Sequence, residues 1–317
     1  MPGININRRC IYSGGGAETP LLDLYPNAQA AYSLRKLRSD YSGYCIKIRR
    51  SSDDTTLDIG FYGNEINYSA VLSFVGLGDG FVHTWYDQSG NGLNVAKGAN
   101  FSHPKIVSSG AFITNNGKKS LYFNDANRNL SGSAAADWKF MHVSEHSIYM
   151  VAQAGIVANP GVNYGLLGTN NGTTANNGFY LAYQDSGGGD DRLQHLVSNA
   201  SGSPATSPVN NTASNNIITA NTLHVISILC DPTDATGAQR SKISIDMSPY
   251  INLNANTNAI NNVNPAFPIQ VGGYGDSAVC LIGYVSELII YPTEQSTNND
   301  AAIQNNMLAF FGIAAYP

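Results

Sequence analysis

From residue 80 onward the chain is a succession of short apolar runs closed by Gly, Asn, Asp or Pro, and this rhythm constrains its fold more than any other feature. "FVHTWYD", "SLYFND", "HSIYMVAQAG", "GFYLAYQ", "LQHLVSN", "TLHVISILCD", "SKISIDM", "FPIQVGG" and "CLIGYVSELIIYP" follow one another along the sequence. Runs of this length, rich in β-branched and aromatic residues and spaced by roughly ten to twenty residues, are strands joined by turns. No helical pattern alternates with them, which excludes a βαβ chain and predicts an all-β, two-sheet antiparallel jelly-roll sandwich.

The edges of that core read less uniformly. "YCIKIRR" and "TLDIGFY", separated by "SSDDT", predict two more strands and a turn. In "AQAAYSLRKL" the spacing of Ala31, Leu34 and Leu37, after Asn27, predicts a capped amphipathic helix with Arg35, Lys36 and Arg38 pointing to solvent. A second short helix is expected at Ser69–Phe74. After the last strand, Ile303, Met307, Phe310 and Phe311 form one stripe, with Ser296 or Thr297 to start and Gly312 to end a closing helix. Ser198–Asn221 and Asn252–Pro265, rich in Asn, Ser, Thr and Pro, are expected as long loops. Residues 1–26 are weakly patterned and contain "SGGG" at Ser13–Gly16, so they are expected as an N-terminal arm preceding one domain over 27–317.

Charge narrows the partners. Charged residues are 12% of the chain against 43% hydrophobic, and the formal net charge of -5 comes with no basic stripe, so nucleic acid is not an expected partner. The opening "MPGININRRC" lacks the apolar core of a secretory signal, and no window reaches membrane-spanning length; neither Sec export nor membrane insertion is expected. Cys10, Cys45, Cys230 and Cys280 lie far apart without paired spacing, as buried free thiols would. His83, His142, His146, His195 and His224 show no metal-ligand spacing, and no nucleophile elbow, Walker or dinucleotide motif is present.

The stretch "DQSGNG" has two readings. Asp87, Ser89 and Asn91 at alternate positions, with Gly92 sixth, match the first half of a calcium loop, whereas position twelve is Gly98 and not a bidentate Glu. Calcium therefore needs carboxylates from elsewhere, such as Asp53, Asp54 or Asp58. Without it, the segment is a tight turn ending a strand whose Trp85 enters the core, with Asp87 and Asn91 bonding nearby N–H groups and Gly90 and Gly92 supplying positive φ. No cofactor is the first expectation and calcium the alternative.

The segments "AYSLRKLRSDYSGYCIKIRRSSDDTTLDIGF", "WYDQSGNG" and "GKKSLYF", with the tail "GYVSELIIYPTEQSTNNDAAIQNNMLAFFGI", resemble the catalytic domain of B-type α-L-arabinofuranosidases and related concanavalin-A-like, laminin-G-like jelly rolls. Similar chains occur on bacteriophage virion proteins. The resemblance runs from Gln29 to Ile313. It implies a retaining mechanism with two carboxyls about 5 Å apart, and it puts the acid/base at Asp276 in "GGYGDS". The family's nucleophile is a Glu upstream of that Asp, but no Glu stands between Glu145 and Glu287. Asp185, Asp190 and Asp191 occupy that region with a side chain one methylene shorter, a large misplacement for a nucleophile. The cysteine pair that braces the fungal enzymes' pocket also has no counterpart.

Glycan binding demands less than hydrolysis: aromatic faces and a few side-chain amides or carboxylates. Tyr164, Tyr180, Tyr183, Gln184, Asp185, Tyr274 and Asp276 are the candidates, with Tyr180, Tyr183, Asp185, Tyr274 and Asp276 as the expected ligand surface. The expected function is a bacteriophage virion structural or adhesion component, a capsid decoration or tail fibre assembled in the host cytoplasm. Its expected partners are other virion proteins, further copies of itself and a cell-surface polysaccharide, with "SGGG" as the docking element. The alternative is a glycoside hydrolase of the α-L-arabinofuranosidase type.

Overall fold

The structure is a computed structural model and describes residues 19–98, 102–124, 128–155, 163–184, 191–213, 218–275 and 279–317. Strands of four or more residues are β1 Ala30–Ser33, β2 Ile46–Arg50, β3 Thr56–Ile59, β4 Gly80–Trp85, β5 Lys105–Ser108, β6 Leu121–Asn124, β7 His146–Ala154, β8 Asn163–Gly168, β9 Asn177–Gln184, β10 Arg192–Asn199, β11 Val209–Ala213, β12 His224–Cys230, β13 Ser241–Ile245 and β14 Ile282–Tyr291. Helices are few: α1 Leu21–Leu24, α2 Tyr68–Val75, α3 Phe140–Val143 and α4 Thr297–Phe311.

The strands belong to one antiparallel hydrogen-bonded network and not to two separate sheets. One wall runs β13–β12–β7–β14, and β14 then carries β1 along one half of its far edge and β6 along the other. The opposite wall is β8–β9–β10–β11. Short strands at Gln270–Val271, Leu130–Ser131 and Val95–Ala96 link β8 back to β4. Where β11 meets β13, Asn211 donates to Ser241 O at 2.9 Å and to Ile251 O at 2.9 Å, so the network is close to a closed barrel. Closure of this kind removes the unpaired edges that an open sheet exposes. The continuous core between the walls holds Trp85, Phe123, Trp138, Phe179 and Ile228, among others.

The segment expected as the first helix is strand β1, with all four residues buried. It pairs Ala30↔Ile290 through Ser33↔Glu287 with β14, more than 250 residues away in sequence. Ala30 and Tyr32 enter the main core while Ala31 faces the second cluster under α4, and burial on both faces is what a strand supplies and a surface helix does not. Asn27, expected as the cap, instead has φ 68. Arg35 is buried: its Nε and Nη2 each donate at 2.7 Å to the two oxygens of buried Glu287, and its guanidinium lies 4.3 Å from the Phe310 ring.

Other expectations take their place. α2 covers the second predicted helix and is capped by Asn67, whose side chain accepts from Ala70 N. α4 starts at Ser296, whose hydroxyl accepts from Asn299 N, and ends at left-handed Gly312. It buries Ile303, Met307 and Phe311. Within Ser198–Asn221, expected as a loop, Val209–Ala213 is strand β11 with Val209, Asn211 and Ala213 inward. Residues 1–18, with Cys10 and Ser13–Gly16, lie outside the described residues; Leu21 and Leu22 of the expected arm are buried against α4's cluster.

Candidate functional site

The alternation of side chains along a strand divides β9 between two environments. Phe179, Leu181 and Tyr183 enter the main core, whereas Tyr180 and Ala182 lie on the opposite face of the strand and join Leu196 and Tyr274 in a separate buried cluster. Tyr183 is therefore not part of the surface that Tyr180 shares. Its ring lies 6.2 Å from that of Tyr164, deep in the core, because three residues along a strand reverse the face. Tyr180 and Tyr274 do meet, stacked at 5.1 Å with 30° between their planes.

Beside that pair runs a chain of side-chain amides across β9, β10 and β11. Tyr180 Oη donates to Gln194 Oε1 at 3.1 Å, Gln184 Nε2 donates to the same oxygen at 2.7 Å, and Gln194 Nε2 donates to Asn210 Oδ1 at 2.9 Å. Burial pushes the Tyr180 hydroxyl up to about 12, so at neutral pH it is a hydrogen-bond donor and not an acid. The half-buried Gln184, Gln194 and Asn210 give the wall donors and acceptors without net charge. Half-buried amides of this kind suit hydrogen bonding to neutral hydroxylated ligands, while the Tyr180 and Tyr274 rings lie buried beneath them.

The loop after β8 fixes Tyr274. Gly172 has φ 76, and a Cβ built there would fall 2.1 Å from Tyr274 Cε2, so only glycine admits this approach. Asn170 shapes the turn, accepting from Gly172 N at 2.7 Å and donating to Thr173 O at 3.1 Å. Asp185 and Asp276 lie outside the described residues; Gln184 precedes the first, and Tyr274 and Gly275 precede the second. Asp191 is described, and its Oδ2 accepts from Ala220 N at 3.2 Å.

Asp87, Ser89 and Asn91 lie far from this wall in the fold, where the turn after β4 meets β1. Asp87 Oδ1 accepts from Ala31 N at 2.9 Å and Ser89 N at 2.8 Å, and Oδ2 accepts from Ser89 Oγ at 2.7 Å and Leu93 N at 3.1 Å. Both carboxylate oxygens thus face protein donors, the role a turn requires. Asn91 Nδ2 points its donors at Gln29 O and Ala28 O. Gly90 and Gly92 have φ 98 and 74, and Trp85 is fully buried. Asp53 pairs with Arg50, Asp54 with Arg49, and Asp58 accepts from Tyr86 Oη at 2.6 Å, so those three carboxylates are engaged elsewhere. A polar cavity of about 700 Å³ opens beside this turn, and there Arg38 is held by Asp40 and by Ser89 O.

The histidines divide by environment. His224 Nδ1 lies 2.6 Å from Asp246 Oδ2, and its Nε2 accepts from Thr219 N at 3.1 Å with the Thr219 hydroxyl 3.3 Å away. His146, His195 and Cys230, from β7, β10 and β12, bring one ring nitrogen of each imidazole and the Cys230 Sγ within 4.8 Å of one another in the sealed core. Burial pushes the two imidazoles down to about 4 and about 3, leaving both neutral at pH 7. Sequence spacing gave no signal for this group, since 49 and 35 residues separate its members. Among the described residues, no helix is long and apolar enough to cross a membrane.

Neither a family model nor a curated protein matches the sequence. Solved structures do match its fold. One is an arabinofuranosidase complexed with arabinofuranosyl-alpha-1,2-xylobiose, 18% identical over 89% of this chain with a TM-score of 0.64. Another is a GH54 α-L-arabinofuranosidase soaked with a cyclic sulfate inhibitor, 17% identical over 89% of this chain with a TM-score of 0.64. The chain spans 62% of the length of each. At this identity the likeness is one of fold: the chain shares the β-architecture of these two structures.

Proposed function

We propose that this chain is a carbohydrate-active domain of the glycoside-hydrolase type that engages arabinofuranosyl or related side chains on the outward face of β9, β10 and β11. The observation that carries it is the stacked Tyr180–Tyr274 pair continuing into the Gln184–Gln194–Asn210 amide chain, on a fold shared with arabinofuranosidases over 89% of the chain. Within this reading, Gln194 and Asn210 bond sugar hydroxyls, and Tyr180 and Tyr274 hold the wall rigid from beneath. Asp276, two residues after Tyr274 in sequence, is the proton-donating carboxyl, and Asp185, next to Gln184 in sequence, belongs to the ligand-binding set. Retention of configuration needs a second carboxylate about 5 Å from the proton donor. The jelly-roll wrapping of the strands belongs to the same proposal. Placement on a virus particle rests on the sequence resemblance alone, whereas the hydrolase side of the expectation gains the structural likeness.

The test uses the full chain with 4-nitrophenyl α-L-arabinofuranoside and with arabinofuranosyl-substituted xylo-oligosaccharides. Expected are saturable oligosaccharide binding that Gln194→Ala weakens about tenfold, as loss of a bonded amide would, and nitrophenolate release that Asp276→Asn lowers at least about 100-fold. Absence of both binding and turnover overturns the proposal. Binding without turnover removes the Asp276 assignment and leaves a recognition domain.

A further inference from the structure

The group formed by His146, His195 and Cys230 takes no part in the wall described above, yet it is built with care. His146 opens β7 and Cys230 closes β12, and the two are direct cross-strand partners. Ser241 of β13 lies opposite Cys230 on the next strand. His195 reaches them from β10 across the core, with its ring 6.1 Å from that of His146 and nearly perpendicular to it. All three side chains have no exposed surface.

Each imidazole is oriented through its other nitrogen. His146 Nδ1 lies 3.1 Å from Ser144 O, a carbonyl that can only accept, so this nitrogen carries the hydrogen and Nε2 carries the lone pair. His195 Nδ1 lies 2.9 Å from Ser241 Oγ, itself bonded by Asn211 Nδ2 at 3.2 Å. The two Nε2 atoms have no hydrogen-bond partner among the described residues. Buried polar nitrogens without partners are costly, and two of them in a group whose ligand atoms lie within 4.8 Å of one another are an expensive way to fill a core. Imidazoles fixed through one nitrogen by a carbonyl or a hydroxyl are how metal-binding histidines are held.

We propose that His146 Nε2, His195 Nε2 and Cys230 Sγ form a three-coordinate site for copper(I). Three atoms up to 4.8 Å apart leave a central point about 2.8 Å from each, and small rotations of the side chains shorten this to the roughly 2.0–2.3 Å of metal–nitrogen and metal–sulfur bonds. Coordination by two imidazoles and one thiolate suits a soft cation. Charge then selects among soft cations: a monovalent ion with one thiolate is neutral, whereas a divalent ion leaves a net positive charge in a core walled by Phe140 and Phe179. Zinc also seeks a fourth ligand, and apolar rings stand around these three. Binding exchanges the Cys230 thiol proton for the metal, with no change of oxidation state, and the sealed position means that the ion enters during folding.

The test is refolding of the full chain, anaerobically, in the presence of chelator-buffered copper(I), of zinc(II), or of chelator alone, followed by metal analysis, melting and X-ray absorption. Expected are about one copper per chain, an absorption spectrum with two nitrogens and one sulfur, and a melting temperature several degrees above the chelator arm. Cys230→Ser and His195→Gln lower bound copper at least about tenfold, while Cys280→Ser, whose thiol lies beside Gly273, leaves it unchanged. Since core variants can fail to fold, the wild-type arms decide. Less than about 0.1 copper per chain with equal melting in all three arms overturns the proposal. So does uptake of zinc in place of copper, or full copper retention by folded Cys230→Ser.

Discussion

Asp87→Asn separates a turn from a metal ligand in one measurement. The carboxylate is nearly fully buried and accepts four hydrogen bonds, two at each oxygen. In asparagine one oxygen survives and keeps Ala31 N–H and Ser89 N–H, now as neutral bonds, each weaker by about 1 kcal/mol than its charge-assisted counterpart. The amide NH₂ takes the place of Oδ2. There Ser89's hydroxyl can turn and accept, but Leu93 N–H meets a donor and is left without a partner, at about 1–3 kcal/mol. The sum is about 3–5 kcal/mol. For a chain of 317 residues the unfolding entropy is about 0.67 kcal/mol/K, so the melting temperature falls by about 5–7 °C.

The assay is thermal unfolding followed by circular dichroism, for wild type and variant, each with millimolar calcium and with excess chelator. The turn account requires the same loss under both conditions and a wild-type melting temperature that chelator leaves within about 1 °C. A calcium site would show a chelator-dependent drop of several degrees in the wild type, since a bound ion stabilises by RT ln(1 + [L]/Kd). That result, or a variant destabilised by less than about 1 kcal/mol, refutes the hydrogen-bond reasoning.

Glu287→Gln strands the Arg35 guanidinium in a buried site and is expected to cost about 3–5 kcal/mol; the Arg35→Met/Glu287→Leu double variant should lose less than either single change, and urea unfolding of the cycle reads this directly. His103 and His142, both fully buried, are pushed down to about 4, mainly by burial and further by neighbouring cations. Their folded values lie below the unfolded 6.5, so their stabilisation is complete above about pH 6.5 and is lost as pH falls toward 4, at up to about 1.4 kcal/mol per pH unit for each. Denaturant midpoints between pH 7 and 4.5 should fall accordingly, and less steeply in His142→Gln. Gly172→Ala combines a left-handed φ with a Cβ driven into Tyr274; it should cost about 1–3 kcal/mol and weaken oligosaccharide binding, whereas Gly202→Ala, left-handed but with open space around it, should lower stability alone.

What sequence made legible was whatever local pattern decides. β7, β12 and β14 are long β-branched runs, and α4 carries its own cap, stripe and terminal glycine. β1 reads as helix because Ala31, Leu34 and Leu37 have helical spacing, and only a partner over 250 residues away makes Ala30–Ser33 a strand. β11 was missed because "VNNTA" is half polar: its outward residues belong to the amide wall, and the inward Asn211 bonds backbone, where an apolar side chain would be expected. Strand parity alone would have separated Tyr180 from Tyr183, since an odd spacing puts two residues on opposite faces. The stacking of Tyr180 on Tyr274 and the meeting of His146, His195 and Cys230 depend on register and on how the walls close, which no local pattern encodes.

Both groups hang on the same strands. Gln194 and His195 are consecutive on β10, the first turned to the amide wall and the second to the core; Asn210 and Asn211 repeat the arrangement on β11. Ser241 Oγ contacts His195 and Asn211 together, so β10 and β11 are tied through the core to β13 at the very residues whose neighbours form the outer wall. A polar inner face is an expensive choice for a core, where apolar residues of equal volume need no partners. Its effect is to fix the position of each strand along its axis, because a hydrogen bond between named atoms specifies register where apolar packing tolerates sliding. The spacing of the outward amides is set to the same precision, and a surface that reads hydroxyl positions on a sugar depends on that spacing.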